Sequence, residues 1–138
     1  MVDVTVRSTI PAAAADVAAV MFDPNRDPEW IGGAQRVEVI TPQPYGVGAR
    51  VRRHGAFLGR SFAWVTEVTE FEAGRLVRMK HVAGPFTGGV DYSISPVAAG
   101  SEVVIRNYGK ASFWFPFMAA MMRASVRADL KRLGRLLA

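Results

Sequence analysis

Few residues in this 138-residue chain are of the kinds that carry out chemistry, and their spacing excludes most of the familiar arrangements. There is no cysteine, so thiolate nucleophiles, disulfides and thiolate metal sites are ruled out. The 2 histidines, His54 and His81, fall on separate strand-like segments without paired ligand spacing, and no metal site is expected. No Gly-x-Ser-x-Gly elbow is present. Gly109-Lys110-Ala111 lacks the spacing and the hydroxyl of a phosphate loop, and Gly46-Val47-Gly48 lacks the third glycine and the helix of a dinucleotide fingerprint. No cofactor is expected.

What remains is a small set of polar groups on otherwise apolar strand faces. Alternation puts His81 with Val77 and Met79. There it could serve as a general acid or base, because its ordinary pKa lies near neutrality, or simply as a hydrogen-bonded histidine in the core or at its rim. His54 shares a face with Arg50 and Arg52 and is expected to be exposed. Arg53 shares a face with Val51; if inward, its planar fork of donors could orient a carboxylate or an enolate. A β-bulge at Gly55 would reverse that parity. Tyr92 and Asn107 are the other candidates for polar groups in an apolar cavity, where a few such groups fix a ligand's orientation. Trp30, Phe62, Trp64, Met79, Phe115, Met118 and Met122 have the spacing of core residues, and the same spacing would let them line a pocket.

These residues need elements to position them. Residues 2–10 alternate Val2, Val4 and Val6 against Asp3, Thr5 and Arg7, the pattern of a half-buried strand. Pro11 leads into an Ala-rich helix from Ala12 to Phe22, with Val17, Val20 and Met21 as its buried stripe. Asp23-Pro24-Asn25-Arg26-Asp27-Pro28 is turn chemistry that ends this helix, and Pro28 to Ile31 form one further helical turn. Six strand-like segments follow between Gln35 and Lys110, joined by Gly- and Pro-containing turns, which requires an antiparallel meander. Their single apolar faces imply a sheet covered on one side. The last segment supplies the cover. Met118, Met122, Val126, Leu130, Leu133 and Leu137 recur every three or four positions, predicting a helix from about Pro116 to Leu137, roughly 33 Å long at about 1.5 Å per residue. Arg123, Arg127, Lys131 and Arg135 form a basic stripe on another face.

Several short motifs run through this layout in order. Ile10-Pro11 enters the first helix, Asp23 and Trp30 lie in the short-helix region, and Gly48-Ala49-Arg50-Val51 opens the third strand. Val65 to Phe71 precedes a turn and Arg75-Leu76; Tyr92-Ser93-Ile94-Ser95-Pro96 is followed by Gly100-Ser101-Glu102-Val103. Together they resemble the START-like superfamily, also called SRPBCC or polyketide cyclase/dehydratase-like. The resemblance covers essentially the whole chain. It implies an α+β helix-grip fold, a curved seven-stranded antiparallel sheet wrapped around the long C-terminal helix, as a single domain over residues 1–138. It also implies a cavity between sheet and helix, which relatives use for lipids, polyketides or other apolar molecules. Binding of a small hydrophobic or aromatic ligand is therefore the first function expected. A cofactor-independent cyclase, dehydratase or isomerase using His81, Tyr92, Asn107 and Arg53 is the second.

Composition bounds the partners. Half of the residues are hydrophobic and 21% are charged, as in ordinary globular domains. The net charge of +5 is spread over strands and the last helix without a run of like charges, so no nucleic-acid partner is expected. No apolar leader precedes the first strand, and the apolar run Phe113 to Met122 is far short of the roughly 20 residues that cross a membrane. The expectation is a cytoplasmic monomer or homodimer with at most peripheral membrane contact through the basic stripe. The cluster Phe113 to Phe117 could serve a ligand, a cavity mouth or a dimer contact.

Overall fold

A computed structural model of the chain describes residues 2–41, 44–57, 59–111 and 116–138, with the side chain of Phe57 excepted. Strand β1 (Val2–Ile10) buries Val4, Val6 and Ile10 and turns Asp3, Thr5 and Arg7 outward, as alternation requires. Helix α1 (Ala14–Met21) is shorter than expected, because Ala13 is extended and its side chain can cap nothing. A 3-10 turn at Pro24–Arg26 follows, with Asp23 accepting the Asn25 N–H at 3.0 Å, and runs into the four-residue helix α2 (Asp27–Trp30).

The rest is the meander: β2 (Ala34–Val39), β3 (Arg50–Phe57), β4 (Arg60–Glu72), β5 (Leu76–Ala83), β6 (Gly89–Val97) and β7 (Gly100–Gly109). These strands and β1 form one antiparallel seven-stranded sheet in the order β1-β7-β6-β5-β4-β3-β2. Helix α3 (Met118–Leu136) packs against β1 and α2 on the inner face. This is the α+β, helix-grip arrangement that the sequence pattern implied. The helix starts later than its apolar period suggested. Phe117 has φ 65°, a left-handed conformation that no helical residue adopts, so regular helix begins at Met118. Phe117 itself is 82% exposed.

The inner face carries one apolar cluster in which Ile10, Val17, Met21, Ile94, Val103 and Leu133 are fully buried. The outer face is polar, crossed by ion pairs such as Arg106–Asp3 and Arg50–Glu67. Two irregularities in the β4–β5 pairing decide what points inward. The register slips between Val65 and Thr66 and again between Val68 and Glu70. The second slip makes Thr69 an extra residue in β4, so the inward set changes from Phe62, Trp64, Thr66 and Val68 to Phe71. Near Gly55 the irregularity falls on the opposite strand, between Ala34 and Arg36 of β2, and β3 keeps its alternation. Gly55 itself must lack a side chain, since a Cβ there would run into the Gly33 carbonyl.

Candidate functional site

The inner face is filled at one end and hollow at the other. Strands β3 to β7, the end of α2 and the first half of α3 line a half-open cavity of about 240 Å³. Strand alternation sends Phe62 and Trp64 from β4, Met79 and His81 from β5, Tyr92 from β6 and Asn107 from β7 to its wall. Trp30 reaches it from α2, and Met118 and Met122 cover it from α3. Every candidate expected from the sequence that lies within the described residues therefore borders one space: Arg53, His81, Tyr92 and Asn107 among the polar groups, and Trp30, Phe62, Trp64, Met79, Met118 and Met122 among the apolar ones. Phe115, with Phe113 and Trp114, lies outside the described residues. His54 stands apart on the outer face, within 2.8 Å of Glu38 and 3.2 Å of Arg36.

The wall is aromatic where it is widest. Phe62, Trp64 and Phe86 form a mutual cluster with centroids 5.5 to 6.0 Å apart, and the His81 ring lies 5.5 Å from Phe86. Tyr92 meets Trp30 edge to face at 5.8 Å. Such rings hold the wall rigid, while the thioethers of Met118 and Met122 supply an adaptable side.

Two ion pairs brace this end. Arg53 is 5% exposed and Asp27 1% exposed; Arg53 Nε donates to Asp27 Oδ2 at 2.6 Å and Nη1 donates to Thr66 Oγ1 at 2.6 Å. Arg53 Nη2 points to the Met79 sulfur at 3.9 Å. Burial pushes the Asp27 carboxyl upward and the guanidinium pulls it back, with burial prevailing. Burial likewise works against the Arg53 charge, but Asp27, Tyr92 and Tyr45 outweigh it and its pKa is raised. The two partners thus argue differently about the pair. The guanidinium decides, because an arginine does not give up its proton in a protein, and a carboxylate 2.6 Å away is its counter-ion. Asp129, on α3, makes the second brace. Its Oδ1 accepts from the Gly32 N–H at 3.0 Å and from Arg132 Nη2 at 2.5 Å, while Arg132 Nε donates to the Trp30 carbonyl at 3.0 Å. This clamp ties the end of α2 to α3 above Trp30. A Cβ on Gly32 would meet the end of the Arg132 side chain and push it from its place in this clamp.

The other titratable groups of this end are held in their neutral forms. Burial, with help from the Arg53 charge, pulls the His81 imidazole down to about 4, so it is neutral at neutral pH. Its Nδ1 is buried without a hydrogen-bond partner among the described residues. Burial, with the nearby Asp27 charge, pushes the Tyr92 hydroxyl well above its ordinary range, and Tyr45 is raised to about 12. Tyr92 keeps its proton.

Asp27, Thr66, Val126 and Asp129 are cavity-end residues that the sequence reading passed over. Asp27 sat inside a turn-forming run where acids are ordinary. Thr66 follows the alternation of Phe62, Trp64 and Val68, but a lone threonine on that face reads as an ordinary strand residue. Val126 belongs to the apolar period of the last helix, and it borders the cavity with Asp129 one turn on. The only available signal for Asp129 was an acid at helical spacing among the apolar positions of the last helix.

No individual curated protein matches the sequence. Solved structures match the fold closely. A START superfamily protein from Mycobacterium smegmatis superposes with TM-score 0.79 at 15% identity, covering 98% of this chain and 96% of that one. The Zhui aromatase/cyclase from a Streptomyces species gives TM-score 0.73 at 17% identity, covering 98% and 92%. A protein from Deinococcus radiodurans gives 0.74 at 21% identity, covering 98% and 95%. At these identities the likeness establishes the fold. Residues 1–138 match the family described as polyketide cyclase / dehydrase and lipid transport. With the entire length matched and the helix-grip architecture in place, the chain belongs to that polyketide cyclase/dehydrase and lipid transport family.

Proposed function

We propose that this protein binds a small apolar or aromatic molecule in the cavity between α3 and β4–β7. The observation that carries the reading is the hollow itself. A sheet face with aromatic residues on three strands lies opposite a helix whose methionines should fill the space, and about 240 Å³ stays empty. Protein interiors are packed to crystal-like density, so a void of this size is a departure that ligand binding explains. A burial gain of about 25 cal/mol per Å² of apolar surface would supply most of the affinity, with the few polar groups setting orientation.

The experiment is native mass spectrometry of the purified protein together with a saturable titration of a naphthalene-type fluorescent probe. A co-purified small molecule or one-to-one saturation supports the reading. No bound molecule and no saturation would defeat it.

A second reading, an enzyme of the cyclase, dehydratase or isomerase type, draws on the Asp27–Arg53–Thr66 cluster beside Tyr92. Buried charge near a hydroxyl is a common way to stabilise an enolate. The proton-transfer groups favour binding instead: a histidine at about 4 is a weak base at neutral pH, and a tyrosine with a raised pKa is a hydrogen-bond donor rather than a base. Turnover of aromatic polyketide or enone substrates, compared between wild type, His81→Ala and Tyr92→Phe, separates the two. Activity lost in either variant would favour the enzyme.

A further inference from the structure

The charges and dimensions of the cavity restrict what it can take, and this step rests on the binding reading above. Both cations near its inner wall are already used. Arg53 spends Nε on Asp27 and Nη1 on Thr66, and Arg132 is committed to Asp129 and the Trp30 carbonyl. The remaining described cation of the wall, Lys110, is exposed to solvent. A carboxylate carried into this space would lose its hydration, find among the described residues no buried cation that lacks a carboxylate partner, and come near the buried Asp129. Tyr92 offers the opposite. It is 7% exposed, it lines the cavity, and its hydroxyl is bonded to no described residue. A neutral ligand oxygen could accept its proton or donate to its lone pair at little desolvation cost. Asn107, which is half-buried and also without a side-chain hydrogen bond among the described residues, adds a second neutral polar point on the neighbouring strand.

Size narrows the class further. An apolar protein cavity of about 150 Å³ is enough to hold one benzene ring. At about 240 Å³, this one matches one to two rings, and a sterol skeleton or a paired acyl chain would have to extend out through its open side.

We infer that the ligand is a neutral one- or two-ring compound carrying a hydroxyl or carbonyl oxygen, that Tyr92 is the residue that selects for that oxygen, and that the corresponding carboxylate is rejected. The charge logic is testable because ring size and oxygen chemistry can be varied separately.

The test is isothermal titration of wild type and Tyr92→Phe with naphthalene, a naphthol, the naphthoate substituted at the same ring carbon, and a four-ring sterol, at neutral pH. Wild type is expected to bind the naphthol about three- to tenfold more tightly than naphthalene, the worth of one net hydrogen bond. It is expected to bind the naphthoate at least about tenfold more weakly than the naphthol, because the carboxylate is desolvated without a partner. The sterol is expected not to bind. Tyr92→Phe should reduce naphthol affinity to that of naphthalene and leave naphthalene affinity as it was, which also certifies that the variant is folded. Equal or tighter binding of the naphthoate would overturn the inference, as would an equal loss of both neutral ligands in Tyr92→Phe or saturable sterol binding. If naphthalene binds without discrimination, only this inference falls. If none of the four binds, the cavity reading falls with it.

Discussion

Toward its C-terminal end α3 sets Leu130 and Leu133 into side chains from β1, α1 and the sheet, and the fit is close. Toward its N-terminal end the same helix, with the same period, holds Met118 and Met122 over a void. The difference lies in what faces the helix. Strand β1 runs from Val2 at the cavity to Ile10 in the packed core, and α1 adds Val17 and Met21 to that filled region. Among the described residues the hollow end has no such filler. It has large aromatic residues whose rings stand against one another and leave the middle free, and it is held by the Asp27–Arg53 and Asp129–Arg132 pairs. A packed end can supply stability through burial alone. A hollow end forgoes part of that burial and needs polar braces to keep its walls apart.

The largest effect is expected from the brace. Asp27→Asn leaves the Arg53 guanidinium buried beside a neutral partner and should cost about 3–5 kcal/mol of stability in denaturant unfolding. Replacing both, Asp27→Leu with Arg53→Met, should recover most of that loss, since well-packed apolar pairs often match a buried ion pair. A double variant as unstable as the single one would mean that the pair does more than balance its own charge.

Next comes the contrast along α3. Leu133→Ala should cost about 2–5 kcal/mol and leave probe affinity unchanged in the folded fraction. Met122→Ala should cost clearly less and change probe affinity instead. The reverse pattern would break the comparison. The two roles meet at Val126, which borders the cavity and also belongs to the buried apolar cluster with Leu130 and Leu133.

A smaller effect should appear with pH. The folded-state pKa of His81, about 4, lies below its ordinary 6.5, so on acidification the unfolded chain takes up that proton first. Its contribution is complete above about pH 6.5 and is lost as pH falls from there to about 4. With allowance for the partial exposure of the ring, the loss should be about 2 kcal/mol. The stability difference between wild type and His81→Gln should change across this window and be flat above it. A flat difference throughout would mean that the imidazole is not buried neutral. Smallest of all, Arg106→Ala on the outer face should leave the unfolding midpoint essentially where it is, since its partner Asp3 is also exposed and the pair stands in water.

The architecture was legible because each element announced itself by its own period: Val4 and Val6 for β1, Tyr92 and Ile94 for β6, Leu130 and Leu133 for α3. Much of the site was legible for the same reason, since alternation alone sends Met79, His81 and Tyr92 to one face. Arg53 followed too, once the irregularity fell on β2 instead of Gly55. What escaped was anything that depends on pairing between distant segments. Asp27 and Arg53 are separated by 26 positions, and neither shows in its own neighbourhood that the other will neutralise it. The Asp129 clamp joins residues 97 positions apart. Thr66 shares its face with Trp64 and Val68 by alternation, but its hydrogen bond with Arg53 crosses to another strand and shows in neither segment alone. The hollow was implied by the family resemblance alone, because a void is a shortfall of volume among many side chains and no single residue encodes it.

The most direct test is a crystal structure of the protein soaked with an iodinated phenol, read by the anomalous signal of iodine. The expected result is one strong peak within the inner face, bounded by Trp64, Tyr92 and Met122, with the phenol oxygen near the Tyr92 hydroxyl. Iodine found only on the outer face, or Met122 and its neighbours collapsed into the space with no peak inside, would contradict the division of the sheet into a packed end and a binding end.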